Sequence, residues 1–496
     1  MKKLMYTCLI IMSISYGYAQ ESNIFLQRSY WEEQPSLKEI KKQVNAVNAP
    51  AVFNAHKFNG IMYAMLSNLP AETIIYMLDN YVNNINEQTH DGRNYLHWAA
   101  MGGSVEVMKY LVQHGVDVNL VDDHGYSVIT FAATTGQANS KIYDYLLANG
   151  ANIKDVNHDG ANSLLLLVPH LTDDQMMNYF IDHGLSLQDR DENGNNVFFY
   201  TAKTGNKDMM DILIEKGVDY KVRNKQGANA IIAASQGTRR KTNDLNVFEY
   251  LESKGIEPNI ITEEGVTPLH ALAARSKDAE IIKYFVNKGV DVNQADSHGN
   301  TALLNAASRN DLQIVKLVAA KTKEVNHKNK KGATALANAV RGNSIEVVEY
   351  LINAGADVKL KDAEGNTLGY YLINSYSGQN KKDFDSKLSL LKKQGFDPAR
   401  SQAKGNSLLH LAVDKNELSL VEKVLAMNID VNKTNDEGTT ALQIAAMKAT
   451  DAEILRLLVS KGANKKVKTD FDESVYDLAS ENEVLKENKI DLQFLK

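Results

Sequence analysis

The chain has 496 residues, which is too long for one ordinary hydrophobic core, so several domains or a series of repeats is expected. Hydrophobic residues make up 44% and charged residues 23%, with only seven prolines, which excludes a disordered or collagen-like chain. The formal net charge of −6 argues against binding of nucleic acid through the overall field.

Residues 1–19 have the features of a secretory signal peptide. Two lysines precede an apolar run over residues 4–14, and Gly17 and Ala19 are small residues at the usual cleavage positions. The run is shorter than the ~20 residues that span a bilayer, so we expect no membrane insertion after cleavage. Cys8, the only cysteine, lies in this segment, so the mature chain is expected to lack disulfides and thiolate metal sites. We therefore expect a bacterial-type exported protein, either secreted or periplasmic.

Glycine recurs with a period near 33 residues over most of the remaining chain. The successive spacings are 32, 33, 35, 34, 33, 38, 34, 33, 33, 40 and 33 residues. A period of this length indicates a stack of repeated units. The marker glycines are Gly60, Gly92, Gly125, Gly160, Gly194, Gly227, Gly265, Gly299, Gly332, Gly365, Gly405 and Gly438.

Residues 265–298 show the pattern of one unit best. Thr267 is a suitable N-cap, and Pro268 fits the first helical position because it has no amide proton to leave unpaired. The first helix, "PLHALAA", is short and rich in alanine, which allows close approach of a neighbouring unit. The second, "DAEIIKYFVNKG", repeats apolar residues on one face and ends at Gly289, which suits a left-handed C-cap. Each unit is therefore predicted to be a helix-turn-helix.

A second series of positions predicts where the second helices end. Asn83 and Asn428 take the place of glycine in two units, since asparagine also tolerates the left-handed conformation. The unit from Gly299 has Thr322 near this place, which predicts an irregular last turn. The helix-ending glycines are Gly115, Gly150, Gly184, Gly217, Gly255, Gly289, Gly355, Gly395 and Gly462.

Two units, from Gly227 and from Gly365, are longer than the others. Their extra residues are expected in the turn between the two helices, around "GTRRKTN" and "SYSGQNKKDF". The ten-residue link from one helix-ending glycine to the next marker, as in "GVDVNQADSHG", keeps a constant length. This constancy predicts a tight finger with fixed pairing.

The segments "TPLHALAA", "NYLHWAAMGG" and "NSLLHLAV", together with "GVDVN", "GADVK" and "IDVN", resemble ankyrin repeats. The resemblance implies an all-α solenoid of about twelve helix-turn-helix units with β-hairpin-like fingers over residues 60–471. Residues 20–59 and 472–496 would then be an N-terminal capping segment and a C-terminal capping helix. The scaffold is used mainly to bind other proteins, which implies a protein partner and no enzymatic activity. The chain also resembles secreted bacterial ankyrin proteins associated with periplasmic enzymes, so an envelope enzyme is one candidate partner.

The histidine of this motif occurs as His97, His270 and His410. In the family it hydrogen-bonds within and between adjacent units, and a group repeated along a stack is not a single active site. We therefore interpret these three histidines as structural. The units that follow Gly160 and Gly194, with "ANSLLLLVPHL" and "NNVFFYTAKTG", lack both Thr-Pro and the histidine.

The sequence has no phosphate-binding glycine loop, no "HExxH" and no "GxSxG". A row of fingertip histidines, His90, His124 and His158, recurs every 34 residues beside aspartates. Neighbouring helices pack ~8–10 Å apart, whereas metal-bound nitrogens lie ~2 Å from the ion, so joint coordination would require distortion. We expect turn chemistry and no metal or cofactor; the alternative is an envelope metal- or small-molecule-binding protein that uses these fingertip residues.

Charge supplies the stronger functional hypothesis. The segment "KTKEVNHKNKKG" places three lysines near one fingertip, which in an acidic chain predicts contact with an acidic partner; a solvated finger is the alternative. In the ankyrin arrangement, residues that flank the marker glycine or end the first helix face the concave groove. The sequence thus predicts an exported scaffold or accessory factor that binds a protein on its concave face and fingers. The predicted binding residues are His90, Arg93, Met101, His124, Tyr126, Arg275, His298, Arg309, Lys328, Lys330, Lys331 and Arg341.

Overall fold

A computed structural model describes residues 23–496 of the chain. The expected signal peptide therefore lies outside the described residues. The described residues divide into two compact units, 23–256 and 257–496. Within residues 23–496, no helix has both the length and the apolar character needed to cross a membrane.

The first unit is built from antiparallel pairs of short helices, after two helices that precede the first pair. Short 3-10 helices occur at Ile24–Leu26, His90–Gly92 and Val168–His170. The α-helices are α1 Arg28–Glu32, α2 Leu37–Gln43, α3 Gly60–Leu66, α4 Ala71–Tyr81, α5 Tyr95–Met101, α6 Val105–Gln113, α7 Val128–Thr134, α8 Ser140–Ala148, α9 Ser163–Leu167, α10 Gln175–Asp182, α11 Val197–Thr204, α12 Lys207–Glu215, α13 Ala230–Gln236 and α14 Leu245–Ser253.

The second unit repeats the same design. Its 3-10 helices are Ala403–Gly405 and Gln493–Leu495. Residues 472–496 hold two short helices, α27 and α28, where one capping helix was expected. The α-helices are α15 Pro268–Arg275, α16 Ala279–Asn287, α17 Ala302–Arg309, α18 Leu312–Ala319, α19 Ala335–Gly342, α20 Ile345–Asn353, α21 Leu368–Ser375, α22 Lys381–Lys393, α23 Leu408–Asp414, α24 Leu418–Leu425, α25 Ala441–Lys448, α26 Glu453–Ser460, α27 Val475–Glu481 and α28 Glu483–Glu487.

Between successive helix pairs the chain forms a tight finger that closes on itself. The Asp122 amide donates to the carbonyl oxygen of Tyr126 at 2.9 Å. The Asp122 Oδ1 atom accepts from the amides of His124 and Tyr126 at 2.9 and 2.8 Å. Gly125 supplies the left-handed residue, with φ of 82°. An antiparallel bridge between Val121 and Ser127 makes the finger hairpin-like, as expected.

Neighbouring fingers within each unit are joined by single backbone hydrogen bonds. In the first unit the Asp123 amide donates to the carbonyl oxygen of Asp91 at 3.0 Å. In the second unit the Lys330 amide donates to the carbonyl oxygen of His298 at 2.8 Å. The bond can recur only if every finger has the same length, which explains the constant ten-residue link.

Gly60, the first of the marker glycines, does not lie in a finger. Gly60 is the first residue of α3, and the left-handed finger residue is Lys57, with φ of 56°. The finger is otherwise the usual one, since Asn54 Oδ1 accepts from the amides of His56 and Phe58. Gly60 serves close packing instead, because a Cβ there would lie 2.8 Å from the Phe25 Cβ.

The predicted helix ends are partly confirmed. Asn428 is left-handed, with φ of 57°. Asn83 is not: α4 ends at Tyr81, and Val82 is already extended, so the chain leaves the helix without a left-handed cap. The irregular turn near Thr322 is confirmed, because its amide donates to the Ala319 carbonyl without any left-handed residue.

The two longer units differ in where their extra residues lie. In the unit from Gly227 they form the loop over residues 237–244, as predicted. In the unit from Gly365 the prediction is wrong in part, because α22 has 13 residues and takes up most of the insertion. Its buried face is Phe384, Lys387 and Leu391. Because Lys387 occupies one position of the apolar stripe, the sequence did not show the spacing of apolar residues that is typical of a helix.

A buried polar clasp joins adjacent helix pairs. The Asn310 Nδ2 group donates to the carbonyl oxygens of Ala273 and Ser276 in the preceding pair, at 2.7 and 2.9 Å. Such contacts satisfy carbonyls left open at the end of a helix. The same clasp is made by Gln137, Asn206, Asn243, Asn343 and Asn482.

Lys387 replaces the asparagine of the clasp in the pair α21 and α22. Its Nζ atom donates to the carbonyl oxygen of Val340, in α19, at 3.3 Å. The same Nζ atom lies 2.7 Å from Asp383 Oδ2, and only 2% of the lysine side chain is exposed. A long cationic side chain thus spans the extra distance that the lengthened helix creates.

Replacing Lys387 with methionine is expected to lower the free energy of unfolding of the second unit by about 2 kcal/mol, the cost of a lost charged donor to a buried carbonyl. Methionine keeps the apolar stem, and Asp383 is exposed enough to be solvated. Hydrogen exchange of peptides from α19 and α22 would measure the loss. The surface change Lys392→Met is the control, and equal protection in both variants would refute the role assigned to Lys387.

Candidate functional site

The first helices of the two repeats that follow Gly160 and Gly194 differ in length. Helix α9 has only five residues and continues as the 3-10 turn Val168–His170. Pro169 has no amide proton to donate to the preceding turn, so the α-helix cannot continue through it. The turn places His170 on the exposed side of the chain. The next repeat carries Phe199, Tyr200 and Lys203 in α11.

These two repeats form most of a groove in the first unit. The cavity has a volume of about 550 Å³. Its apolar floor includes Leu166, Pro169, Phe199 and Ile232, and all four side chains are buried. Tyr126, Asn193 and Gln226 line it from the fingers, and His170, Lys203 and Gln236 line it from the ends of the first helices. Its size lies within the ~300–1,000 Å³ of typical ligand pockets.

A connected set of polar side chains forms the finger wall of the groove. The Tyr200 hydroxyl and Asn195 Nδ2 both donate to Asp191 Oδ2 at 2.8 Å. Asn224 Nδ2 donates to Asn195 Oδ1 at 2.9 Å, and Gln226 Nε2 donates to Asn193 Oδ1 at 2.9 Å. The wall is therefore held rigidly before anything binds, which lowers the entropic cost of binding.

Burial, reinforced by the Asp191 carboxylate, raises the pKa of the Tyr200 hydroxyl. The hydroxyl therefore stays protonated and donates to Asp191 throughout the physiological range. A neutral tyrosine does not act as a base.

A second polar cluster lies at the first fingers of the same unit. Arg93 Nε contacts Asp122 Oδ2 at 2.8 Å, and the Asp122 side chain is fully buried. Arg93 Nη1 contacts Asp91 Oδ2 at 3.2 Å. The guanidinium carbon lies 4.4 Å from the Phe131 ring centre and 5.4 Å from that of Trp98. Arg93 is therefore part of the interior, and the expectation that it is free to bind a partner is wrong.

The motif histidines have the structural role predicted for them. His270 Nδ1 accepts from the Thr267 amide at 3.0 Å, and its Nε2 donates to the carbonyl oxygen of Asn300 at 3.1 Å. His410 repeats this arrangement with Ser407 and Thr439. Each imidazole thus bridges its own helix start and the finger of the next repeat, and burial lowers the pKa of both rings.

The family model described as ankyrin repeats (3 copies) matches six segments of the chain: residues 61–157, 164–261, 238–329, 269–362, 304–381 and 375–469. Together these segments cover most of the chain. The chain belongs to the ankyrin repeat family. The predicted all-α ankyrin solenoid, with about twelve helix-turn-helix repeats, is confirmed. Ankyrin repeats are modules for protein-protein interaction and are generally non-enzymatic.

Several known proteins are similar to part of this chain. Human transient receptor potential cation channel subfamily A member 1 is 28% identical over 204 residues, which is 40% of this chain and 18% of the channel subunit. Putative palmitoyltransferase ZDHHC13 of Danio rerio is 29% identical over 142 residues, or 28% of this chain and 22% of that protein. The chain therefore spans about a fifth of the length of these relatives. The human ASB11 ankyrin repeat domain is 22% identical with a TM-score of 0.39, covering 47% of this chain and 98% of that domain.

The ankyrin fingertips do not bring the three histidines to one point. His90 Nδ1 donates to the carbonyl oxygen of His56 at 2.9 Å, and its ring lies 4.3 Å from that of Phe58. His90 Nε2 and His124 Nε2 lie 3.2 and 3.3 Å from Asp91 Oδ2. His158 packs instead over Gly125 of the preceding finger. Within the described residues, no group of three or more His, Cys, Asp or Glu side chains is placed to hold a metal ion.

The other predicted binding residues fall into separate places. Tyr126 alone lines the groove, while Met101 is half-buried at the end of α5. His124 is exposed. Lys328 Nζ donates to the carbonyl oxygen of Lys361 at 2.7 Å, so its ammonium is already engaged. The remaining predicted residues are exposed in the second unit: Arg275, His298, Arg309, Lys330, Lys331 and Arg341.

Sequence reasoning missed most of the groove residues. His170, Tyr200, Lys203 and Gln236 lie in repeats that depart from the consensus or carry an insertion. The signal was nevertheless available, since Lys203 and Gln236 each stand seven residues after an N-cap, as Arg341 does. Departure from a fold's own rules is expected where function competes with stability.

Proposed function

We propose that this ankyrin repeat protein is an exported, non-catalytic scaffold that holds a partner protein in the groove of its first unit. The observation that carries the proposal is the groove itself, to which the repeats that follow Gly160 and Gly194 contribute most of the lining residues. Export is proposed from the signal-like residues 1–19, and an envelope enzyme is one partner class consistent with it.

The chemistry of the groove suits a protein segment. Tyrosine is among the residue types most often found at binding hot spots, and Tyr126 and Tyr200 both line the cavity. The apolar floor can bury a side chain, while Lys203 and Gln236 supply polar partners at the rim. An apolar floor with a polar rim is the usual anatomy of an interface.

A photo-reactive phenylalanine analogue placed at position 126 tests the proposal in cells. We expect one discrete cross-linked protein, because the side chain at position 126 lies inside the proposed interface. The matched control places the same analogue at position 145, where Tyr145 lies in the second helix of its pair. Cross-linked species are resolved by size and identified by mass spectrometry.

Two outcomes would contradict the proposal. Identical cross-linked species from positions 126 and 145 would mean that contact is not specific to the groove. Absence of any species from position 126, in cells where the protein is abundant and folded, would mean that the groove stays empty. Retention of residues 1–19 in the mature protein, read by mass, would separately refute export.

A further inference from the structure

Three arginines recur at the ends of successive first helices in the second unit. Arg275 and Arg309 are the last residues of α15 and α17, and Arg341 is the next-to-last residue of α19. All three are exposed. Because α15, α17 and α19 pack side by side, the arginines form a row that crosses the repeats.

The row lies on the surface that corresponds to the groove of the first unit. Lys203 and Thr204, which line that groove, stand seven and eight residues after the N-cap of their helix. Arg341 stands seven residues after its N-cap, and Arg275 and Arg309 stand eight residues after theirs. On the finger side, Lys331 holds the position that Gln226 holds in the groove wall, two residues after the asparagine that starts the finger.

Four cations of this surface have no acidic partner within the described part of the chain. Arg309, Arg341, Lys330 and Lys331 form no ion pair with any residue in 23–496. Other lysines of the same unit do, as Lys277 pairs with Asp311 at 2.8 Å. In a chain of net charge −6, these four exposed cations are complementary to an acidic partner surface.

We infer that the face formed by Arg275, Arg309, Arg341, Lys330 and Lys331 binds an extended acidic segment of the partner protein. This inference rests on the proposed scaffold function and adds a second contact of defined chemistry. Packed helices lie ~8–10 Å apart, and an extended chain rises ~3.3 Å per residue. Carboxylates three residues apart therefore match the spacing of the arginines.

Binding of two fluorescein-labelled peptides tests the inference with the full-length exported protein. One peptide repeats Glu-Ser-Gly four times, and the other has the same composition with its four glutamates consecutive. By fluorescence anisotropy at low salt, we expect the spaced peptide to bind about tenfold more tightly. Added salt should weaken binding, because exposed charges are screened.

Variants assign the effect to the row. Arg309→Glu with Arg341→Glu is expected to weaken binding of the spaced peptide at least tenfold, and the double glutamine variant should give an intermediate loss. Lys461→Glu with Lys466→Glu has the same change in net charge at exposed sites and is expected to bind like the unmodified protein. Circular dichroism confirms that each variant is folded.

Equal affinity for the two peptides would overturn the inference, since it would show that binding does not depend on the spacing of the glutamates. Equal losses in the row variant and in the Lys461 and Lys466 variant would overturn it as well. Cross-linking at position 126 does not depend on either peptide. A discrete partner at that position together with failed peptide binding would therefore remove this inference and leave the scaffold function standing.

Discussion

Replacing Arg93 with methionine is expected to lower the free energy of unfolding of the first unit by about 3–5 kcal/mol. The change removes the cation that lies 2.8 Å from Asp122, whose side chain is fully buried. A buried carboxylate without its partner keeps the cost of desolvation and loses the compensating attraction. Both tryptophans, Trp31 and Trp98, belong to the first unit, so urea denaturation followed by tryptophan fluorescence reports on it selectively.

The molecule itself supplies the control for this prediction. The position of Asp122 is occupied by Asn54, Asn157 and Asn224 in other fingers, where a neutral amide accepts the same two backbone hydrogen bonds. Asp122→Asn should therefore restore most of the stability lost in Arg93→Met. If the double variant is as unstable as the single one, the loss comes from packing against Trp98 and Phe131 and not from the unpaired charge. Lys109→Met, at an exposed site, should change stability by less than about 0.5 kcal/mol.

Stability of the first unit is expected to fall as the pH falls from about 6.5 to about 4, because of His97. Burial lowers the pKa of His97 from 6.5 to about 4. In this pH range His97 is protonated in the unfolded chain and neutral in the folded state, so lowering the pH favours unfolding. A pKa difference of this size corresponds to about 3 kcal/mol, present in full above pH 6.5 and lost by about pH 4.

His97→Gln isolates this contribution. Gln443 holds the corresponding place in α25, where its Oε1 accepts from the Thr440 amide at 2.9 Å, so the fold tolerates glutamine there. We expect the variant to lose about 3 kcal/mol of the pH dependence between pH 7 and pH 4, measured by urea denaturation at each pH. Titration of carboxylates changes the stability of both proteins alike, so it cancels when the two stability curves are subtracted. Parallel curves for the two proteins would show that the pKa of His97 is not lowered by folding.

Local sequence predicted the repeats because each repeat satisfies its own backbone. A finger needs one short polar side chain at its base and one left-handed residue, and a helix pair needs an apolar stripe; all three are visible in a single repeat. The failure at α22 came where a residue acts across repeats. Lys387 donates to the carbonyl oxygen of Val340 in α19, 47 residues away in the sequence. The segment "KKDFDSKLSLLKK" contains no pattern that predicts a buried lysine.

The candidate site was harder to predict for the same reason. Arg93 was assigned to the surface because it follows a marker glycine. It is buried instead, because it forms an ion pair with Asp122 of the next finger. The groove depends on Pro169 shortening one first helix while the next repeat supplies Tyr200 and Lys203. Only Tyr126 was recognised, because it directly follows a marker glycine.

The self-contained finger has an evolutionary consequence. Because the fingers at Asp296 and Asn329 have the same internal hydrogen bonds, cutting both at the same point and joining the outer ends would delete one repeat and leave a complete finger at the junction. Duplication would insert a repeat equally well. The number of repeats can therefore change by recombination in steps of one, while the clasp residues and the arginine row determine which repeats cannot be spared.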